Sequence, residues 1–314
     1  MTKVIIPEIA DAQTDHYLTK KGYEVLTVKN PTEASILATA PDVAGIMMFV
    51  APFPNSLYAK LPNLKVLARY GVGYDSIDAE YAASQGVWVT NTPGANAVSV
   101  AESAITDILL LAKQSVTIAA KMQANDTTGA KTIMGHELNG ATVGIVGYGN
   151  IGQALAKMLS GFGVNVLLYN RTHRETEYGK YVDLETLLTE SDYVSINIAA
   201  VPATEHLIGE AELKLMKPSA YLVNLARGSI VDEAALISAL KNHEIAGAAL
   251  DVFDVEPLPR DSEFFQLDNV FLTPHTGSNT VEAGRNMAMG AARMIDEVLS
   301  GKTPEWPVNS PKLS

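Results

Sequence analysis

The sequence predicts an α/β chain built from two doubly wound parallel-sheet domains, and three observations predict it. Short apolar runs alternate with amphipathic stretches along most of the 314 residues, as expected where parallel strands are joined by crossover helices. The alternation occurs twice, on either side of one long apolar segment. A hydrophobic content of 47% over this length supplies enough apolar surface for about two cores.

Taken in order, "KVIIPEI", "YEVLTVK", "GIMMFV", "KVLARYG" and "VWVTNT" read as strands of the first series, with helical stretches between them. "NTPGANAVSVAESAITDILLLAKQSVTIAAKM" opens after a Pro-Gly break. It predicts a helix of about 25 residues, apolar on nearly every face and so buried on several sides. "ATVGIVG", "VNVLLYN", "DYVSINI", "AYLVNLA", "IAGAALDVF" and "NVFLTP" form the second series, with helices such as "DEAALISALKN" between them. A last helix, roughly Val281 to Ser300, returns the chain to the first domain. The expected division is residues 1–97 plus 288–314 for one domain and 98–287 for the other.

A net charge of -12 and a pI near 4.9 argue against a nucleic-acid partner, which needs a basic surface. The absence of cysteine excludes disulfides and thiolate metal sites and fits a reducing compartment. No uncharged apolar stretch reaches about 18 residues and the N-terminus lacks a signal-like run, so the expectation is a cytoplasmic protein that does not meet the membrane. No metal site is expected.

"GIVGYGNIG" sets Gly147, Gly149 and Gly152 at G-x-G-x-x-G spacing between a strand-like run and a helix-like one. Gly147 allows a tight turn, Gly149 the close approach of a pyrophosphate, and Gly152 the packing of helix on strand, which is the dinucleotide-binding arrangement of a Rossmann domain. The helix N-terminus adds N–H donors for the phosphates. About 20 residues on, where an acid would accept from the ribose 2'-hydroxyl of NAD and repel the 2'-phosphate of NADP, stand Asn170 and Arg171. Asn170 removes the repulsion. Arg171, with Thr172 and Arg174 behind it, can pair with a phosphate dianion. NADP is therefore the expected cofactor, with NAD also open because Asn170 can still bond a hydroxyl.

Five segments, "GYGNIG", "NTPGANAVSVAE", "NLARGSIVDEAAL", "GAALDVFDVEPLP" and "NVFLTPHTGSNT", together resemble the D-isomer-specific 2-hydroxyacid dehydrogenases. The resemblance implies a Rossmann cofactor domain inserted into a flavodoxin-like substrate domain, a homodimer, and a catalytic triad of Arg227, Glu256 and His275. The chemistry of these side chains agrees: reducing a 2-oxo acid needs a permanent cation for the carboxylate and carbonyl, an acid working near neutral pH, and a carboxylate to fix the imidazole tautomer. The resemblance further implies substrate contacts from the backbone of Val72 and Gly73 and from Val50 and Ala51, and places Asp251 at the nicotinamide carboxamide. Asn150, Ile151, Leu225 and Ala226 would line the cofactor, and Thr204 would touch its ribose or pyrophosphate.

The loop "FVAPFPN" contains no basic residue, which disfavours phosphoglycerate and favours glyoxylate or hydroxypyruvate. An NAD-linked dehydrogenase of larger apolar 2-oxo acids is the alternative that the aromatic ring of Phe53 suggests. A nucleotide-sensing binding module, like the co-repressors of the C-terminal-binding type that share the fold, is the non-enzymatic one.

Overall fold

Strand β1 (Lys3–Pro7) is buried along nearly its whole length and becomes an inner strand of a five-stranded sheet. The computed structural model describes residues 1–10 and 12–311; Asp11 and residues 312–314, which the sequence assigns to the first domain, lie outside the described residues. Strands β2 (Glu24–Val28), β3 (Gly45–Met48), β4 (Val66–Arg69) and β5 (Trp88–Thr90) complete the sheet in the order β2-β1-β3-β4-β5, every pair parallel. This is the flavodoxin-like winding. Helices α1 (Ala12–Lys20), α2 (Glu33–Thr39) and α3 (Ala79–Ser84) make the crossovers.

The long apolar segment is two helices, not one. Helix α4 (Ala97–Ala112) ends where Gln114 takes a left-handed backbone (φ 54°), and α5 (Ser115–Gln123) leaves at 65° to it. The side chain of Gln114 donates to Leu111 O at 3.1 Å and to the Tyr221 hydroxyl at 2.9 Å. His136 N–H donates to Ala112 O at 2.7 Å, so another segment takes up a carbonyl that a continuing helix would have used. The expected burial on several faces holds for α4 alone, since α5 has no buried residue. Among the described residues no single helix is long and apolar enough to cross a membrane.

After α6 (Thr127–Thr132) come β6 (Thr142–Val146), α7 (Asn150–Leu159), β7 (Asn165–Tyr169), the two-residue β8 (Lys180–Tyr181), α8 (Leu184–Glu190) and β9 (Tyr193–Ile196). Then follow α9 (Glu210–Leu215), β10 (Tyr221–Asn224), α10 (Glu233–Lys241), β11 (Gly247–Leu250) and β12 (Val270–Leu272). Their sheet runs β12-β11-β10-β9-β6-β7-β8, again all parallel, with the winding reversing between β6 and β9. That is Rossmann order with one further strand, and ligands of such sheets gather at the carboxyl ends of the strands near the reversal.

Helix α11 (Val281–Leu299), capped by the Thr280 hydroxyl accepting from Ala283 N–H, belongs with the first sheet. Its buried face is rich in small residues, Ala283, Ala288, Gly290, Ala291 and Ala292, among Met287, Met294, Ile295 and Val298. A Cβ on Gly290 would stand 2.9 Å from the Thr92 side chain, so glycine here permits close packing. Beyond α11, Val308 N–H donates to Val89 O, and Asn309 Oδ1 accepts from Val89 N–H, both at 2.8 Å. This tail covers the open edge of β5. The chain therefore divides into Met1–Asn96 with Asn279–Ser314, and Ala97–Ser278. The sequence reading set the second crossing at 287/288, inside what proves to be α11; the structure sets it ahead of the helix, which packs as one piece.

Candidate active site

The turn from β6 to α7 gives each glycine a separate reason. Gly147 has φ 104°, and a Cβ there would meet Ile198 at 2.5 Å and Asn197 O at 2.6 Å. Gly149 opens α7 without a side-chain cap, and a Cβ on it would meet nothing within 4 Å. A Cβ on Gly152 would run into Gly147 O. Strain, open approach and tight packing thus fall on the three positions in the order that a pyrophosphate-binding turn requires. Asn150 and Ile151 form the first turn of α7, whose leading N–H groups face the same opening. The residues fit a dinucleotide.

Asn170, just past β7, reaches back to this turn. Its Oδ1 accepts from Tyr148 N–H at 3.1 Å and its Nδ2 donates to Thr172 O at 2.5 Å. Arg171, Thr172 and Arg174 are exposed on the loop beyond. The guanidinium groups of Arg171 and Arg174 have no hydrogen-bond or ion-pair partner among the described residues. In a chain with 35 acidic residues, two uncompensated cations on one exposed loop suit an anionic ligand.

The three catalytic candidates lie on loops that leave neighbouring strands. Buried Asn224 ends β10 and ties the next loop together: its Nδ2 donates to Arg227 O at 2.9 Å and its Oδ1 accepts from Ala226 N–H at 3.0 Å. Arg227 follows, with Nη1 donating to Ala226 O at 2.7 Å. A Cβ on the next residue, Gly228, would overlap the Phe253 carbonyl, so this loop lies flat against the one leaving β11. That second loop carries Glu256, whose Oε1 accepts from Phe253 N–H at 3.2 Å. Glu256 Oε2 lies 2.7 Å from His275 Nδ1. An ionised carboxylate can only accept, so the imidazole proton stands on Nδ1 and Nε2 is left for a reaction partner.

His275 is held from beneath by Asp251. It has a left-handed backbone (φ 55°), and its N–H donates to Asp251 O at 2.7 Å. The buried Asp251 carboxylate accepts from Thr273 Oγ1 at 2.6 Å and from Thr276 N–H and Gly277 N–H at 2.7 Å each. Ser103, on α4, donates to Gly277 O at 2.9 Å, and one turn along stands Asp107, 6% exposed. Burial, with the charge of Asp251 adding to it, pushes the Asp107 carboxyl up to about 7. Leu225 is buried and Ala226 half-buried beside this loop, and a Cβ on Gly277 would stand 2.8 Å from the Leu225 side chain.

In the first unit, Val72 and Gly73 follow β4 on a tightened turn. The carbonyls of Gly71, Val72 and Gly73 accept from Thr92 N–H at 3.0 Å, Asn91 Nδ2 at 2.8 Å and Arg69 Nε at 2.7 Å. The N–H groups of Val72 and Gly73 have no acceptor among the described residues, as in an anion-binding turn. Val50 is exposed after β3, whereas Ala51 is buried. Phe53 is buried against Tyr58, their rings 4.9 Å apart. Thr204 lies in the short turn Pro202–Thr204, and its hydroxyl donates to Ala199 O at 2.8 Å. Asn224, Thr273 and Asp107 are residues that the sequence reading passed over. The first two sit directly beside "LARG" and "PHTG", and a polar residue ending an apolar strand is a signal that could have found them.

A family model described as D-isomer specific 2-hydroxyacid dehydrogenase, NAD binding domain, matches residues 105–277. The chain is 41% identical over 309 residues to a glyoxylate reductase of Thermococcus litoralis, covering 94% of this chain and 93% of that one. Its fold is similar to a crystal structure of a glyoxylate reductase from Paecilomyes thermophila, at 29% identity and TM-score 0.87 over 98% of both chains. It is equally similar to an NADPH-dependent glyoxylate/hydroxypyruvate reductase from Sinorhizobium meliloti in complex with NADP and malonate, at 29% identity and TM-score 0.86 over 100% of this chain and 98% of that one.

Proposed function

We propose, because the chain belongs to the D-isomer specific 2-hydroxyacid dehydrogenase family, that it reduces a small 2-oxo acid of the glyoxylate or hydroxypyruvate type to the D-2-hydroxy acid, preferring NADPH and accepting NADH. One observation carries the reading: the 2.7 Å pair of His275 and Glu256, on a loop packed against the loop of Arg227. When bound, the reduced nicotinamide supplies a hydride to the carbonyl carbon. Arg227 is a permanent planar cation suited to the substrate carboxylate and to the polarised carbonyl oxygen. His275, as imidazolium, keeps one proton on Nδ1 against Glu256 and gives the other from Nε2 to the developing alkoxide. The free N–H groups of Val72 and Gly73 suit a carboxylate, and the small side chains of Val50 and Ala51 suit a short substrate tail. Asp251 keeps the His275 loop in place at the nicotinamide end. Asn150, Ile151, Leu225 and Ala226 line the cofactor, whose ribose or pyrophosphate Thr204 approaches through its turn.

NADPH preference rests on Asn170 and Arg171. Asn170 withdraws a repulsive carboxylate, and the unpaired Arg171 guanidinium offers two parallel donors to a 2'-phosphate. A solved relative named as NADPH-dependent supports this. The case for a larger apolar substrate is weaker, since Phe53 points into the core of its own unit. The chain acts as a homodimer joined through α5.

Oxidation of NADPH and of NADH over a panel of 2-oxo acids tests the reading. Glyoxylate and hydroxypyruvate should turn over fastest, and His275→Ala should lose roughly 100- to 10,000-fold in kcat. Near wild-type turnover by His275→Ala would remove the triad, and a preference for branched or phosphorylated acids would remove the substrate.

A further inference from the structure

We propose that Tyr181 is the positioning residue for cofactor choice, bracing the 171–176 loop so that Arg171 and Arg174 stand ready for the 2'-phosphate before it arrives. The inference rests on the reading of Arg171 as the phosphate partner, and it concerns a residue to which that reading gives no contact with the cofactor. Tyr181 belongs to β8, the two-residue strand whose only sheet neighbour is β7. So short an edge strand contributes little to the sheet; its effect is to bring one aromatic ring beside the glycine turn.

Three groups converge on that ring. The His173 imidazole stacks over it, centroids 4.1 Å apart and planes 14° apart. Tyr148, from the glycine turn, meets it edge-on at 5.8 Å and 82°. The Tyr181 hydroxyl accepts from Arg174 N–H at 3.0 Å. Two further ties flank it: Asn170 Nδ2 donates to Thr172 O, and the hydroxyls of Tyr148 and Thr176 share a hydrogen bond of 2.5 Å. The loop is thereby fastened through the backbone of Thr172 and Arg174 and through the side chains of His173 and Thr176.

The residues left without a tie are the useful ones. Both guanidinium groups extend from this fastened loop without a partner of their own, although Glu175 and Glu177 lie next to them in sequence. Held this way, the loop does not have to be ordered when the phosphate binds, only the two arginine side chains do, and the loop's ordering cost would otherwise come out of the affinity. NADH has no 2'-phosphate and gains nothing from the brace. Tyr181 should therefore act on the ratio of the two affinities.

The experiment is a fluorescence titration of NADPH and of NADH against wild type, Tyr181→Leu, Tyr181→Phe and Arg171→Ala at one salt concentration, with thermal melting of each variant. Tyr181→Leu should weaken NADPH roughly 10-fold while NADH stays within about 2-fold. Tyr181→Phe keeps the stack, loses the acceptor for Arg174 N–H, and should show a smaller loss of the same selectivity. If Arg171→Ala is selective for NADPH while Tyr181→Leu weakens both cofactors equally or neither, the brace is wrong and the phosphate reading survives. If Arg171→Ala is itself unselective, the phosphate reading falls and takes the brace with it. Should Tyr181→Leu melt far below wild type, Tyr181→Phe decides: a selective loss of NADPH supports the brace, and an unchanged ratio overturns it.

Discussion

His275 holds a left-handed backbone that residues other than glycine seldom adopt, and the bonds to Asp251 keep it there. The Asp251 carboxylate takes its donors from Thr273, Thr276 and Gly277, and its charge adds to the burial that raises the carboxyl of Asp107. An acid whose carboxyl stands at about 7 when folded and near 3.8 when unfolded favours the folded state most while both states are protonated. That contribution is full below about pH 4 and is lost as pH rises toward 7, a change of up to about 4 kcal/mol. Asp107→Asn removes the titration and keeps the shape. Its stability relative to wild type should therefore rise between pH 4 and pH 8, read from urea midpoints at each pH, and parallel curves would show that Asp107 does not carry the shift.

Elements were legible wherever a strand was buried on both faces, because such strands read as unbroken apolar runs in "KVIIP" and "TVGIV" alike. The glycine turn and the positions of Arg227 and His275 were legible for a different reason: each lies just past a strand end, where a change from apolar to Gly, Arg or His stands out, while Glu256, well beyond the end of β11, was reached through the family resemblance. The break between α4 and α5 was not. It depends on a left-handed Gln114 and on His136 N–H taking the Ala112 carbonyl, and neither leaves a compositional mark. Strand β8 was equally silent, since two residues cannot show a period of two. The bend matters for assembly. Helix α5 has no buried residue yet exposes Val116 and Met122, two large apolar side chains that a partner subunit would cover. Sedimentation at micromolar concentration should find a dimer for wild type, and Val116→Glu with Met122→Glu should shift it toward monomer. A wild-type monomer would assign α5 no role in assembly.

The whole molecule is nested. The dinucleotide-binding unit is one continuous stretch, Ala97–Ser278, while the unit around the first sheet needs both Met1–Asn96 and the chain that returns after Asn279. Until α11 arrives, Met47, Val66 and Ala68 on the first sheet lack the small-residue helix face that buries them, and β5 lacks the tail that covers its edge. Order of synthesis therefore becomes a property of the fold: the middle of the chain can close while its beginning still waits for its end. A fragment stopping at Ser278 should resist limited proteolysis from about residue 97 onward and be cut rapidly before it. Supplying residues 279–314 as a separate peptide should then protect the front of the chain. Equal resistance throughout the fragment would mean that the first sheet closes alone. If the expectation holds, nascent chains of this protein carry an unfinished, edge-exposed sheet from the time Asn96 is made until the chain beyond Asn279 follows, and that interval is when a chaperone would have most reason to hold them.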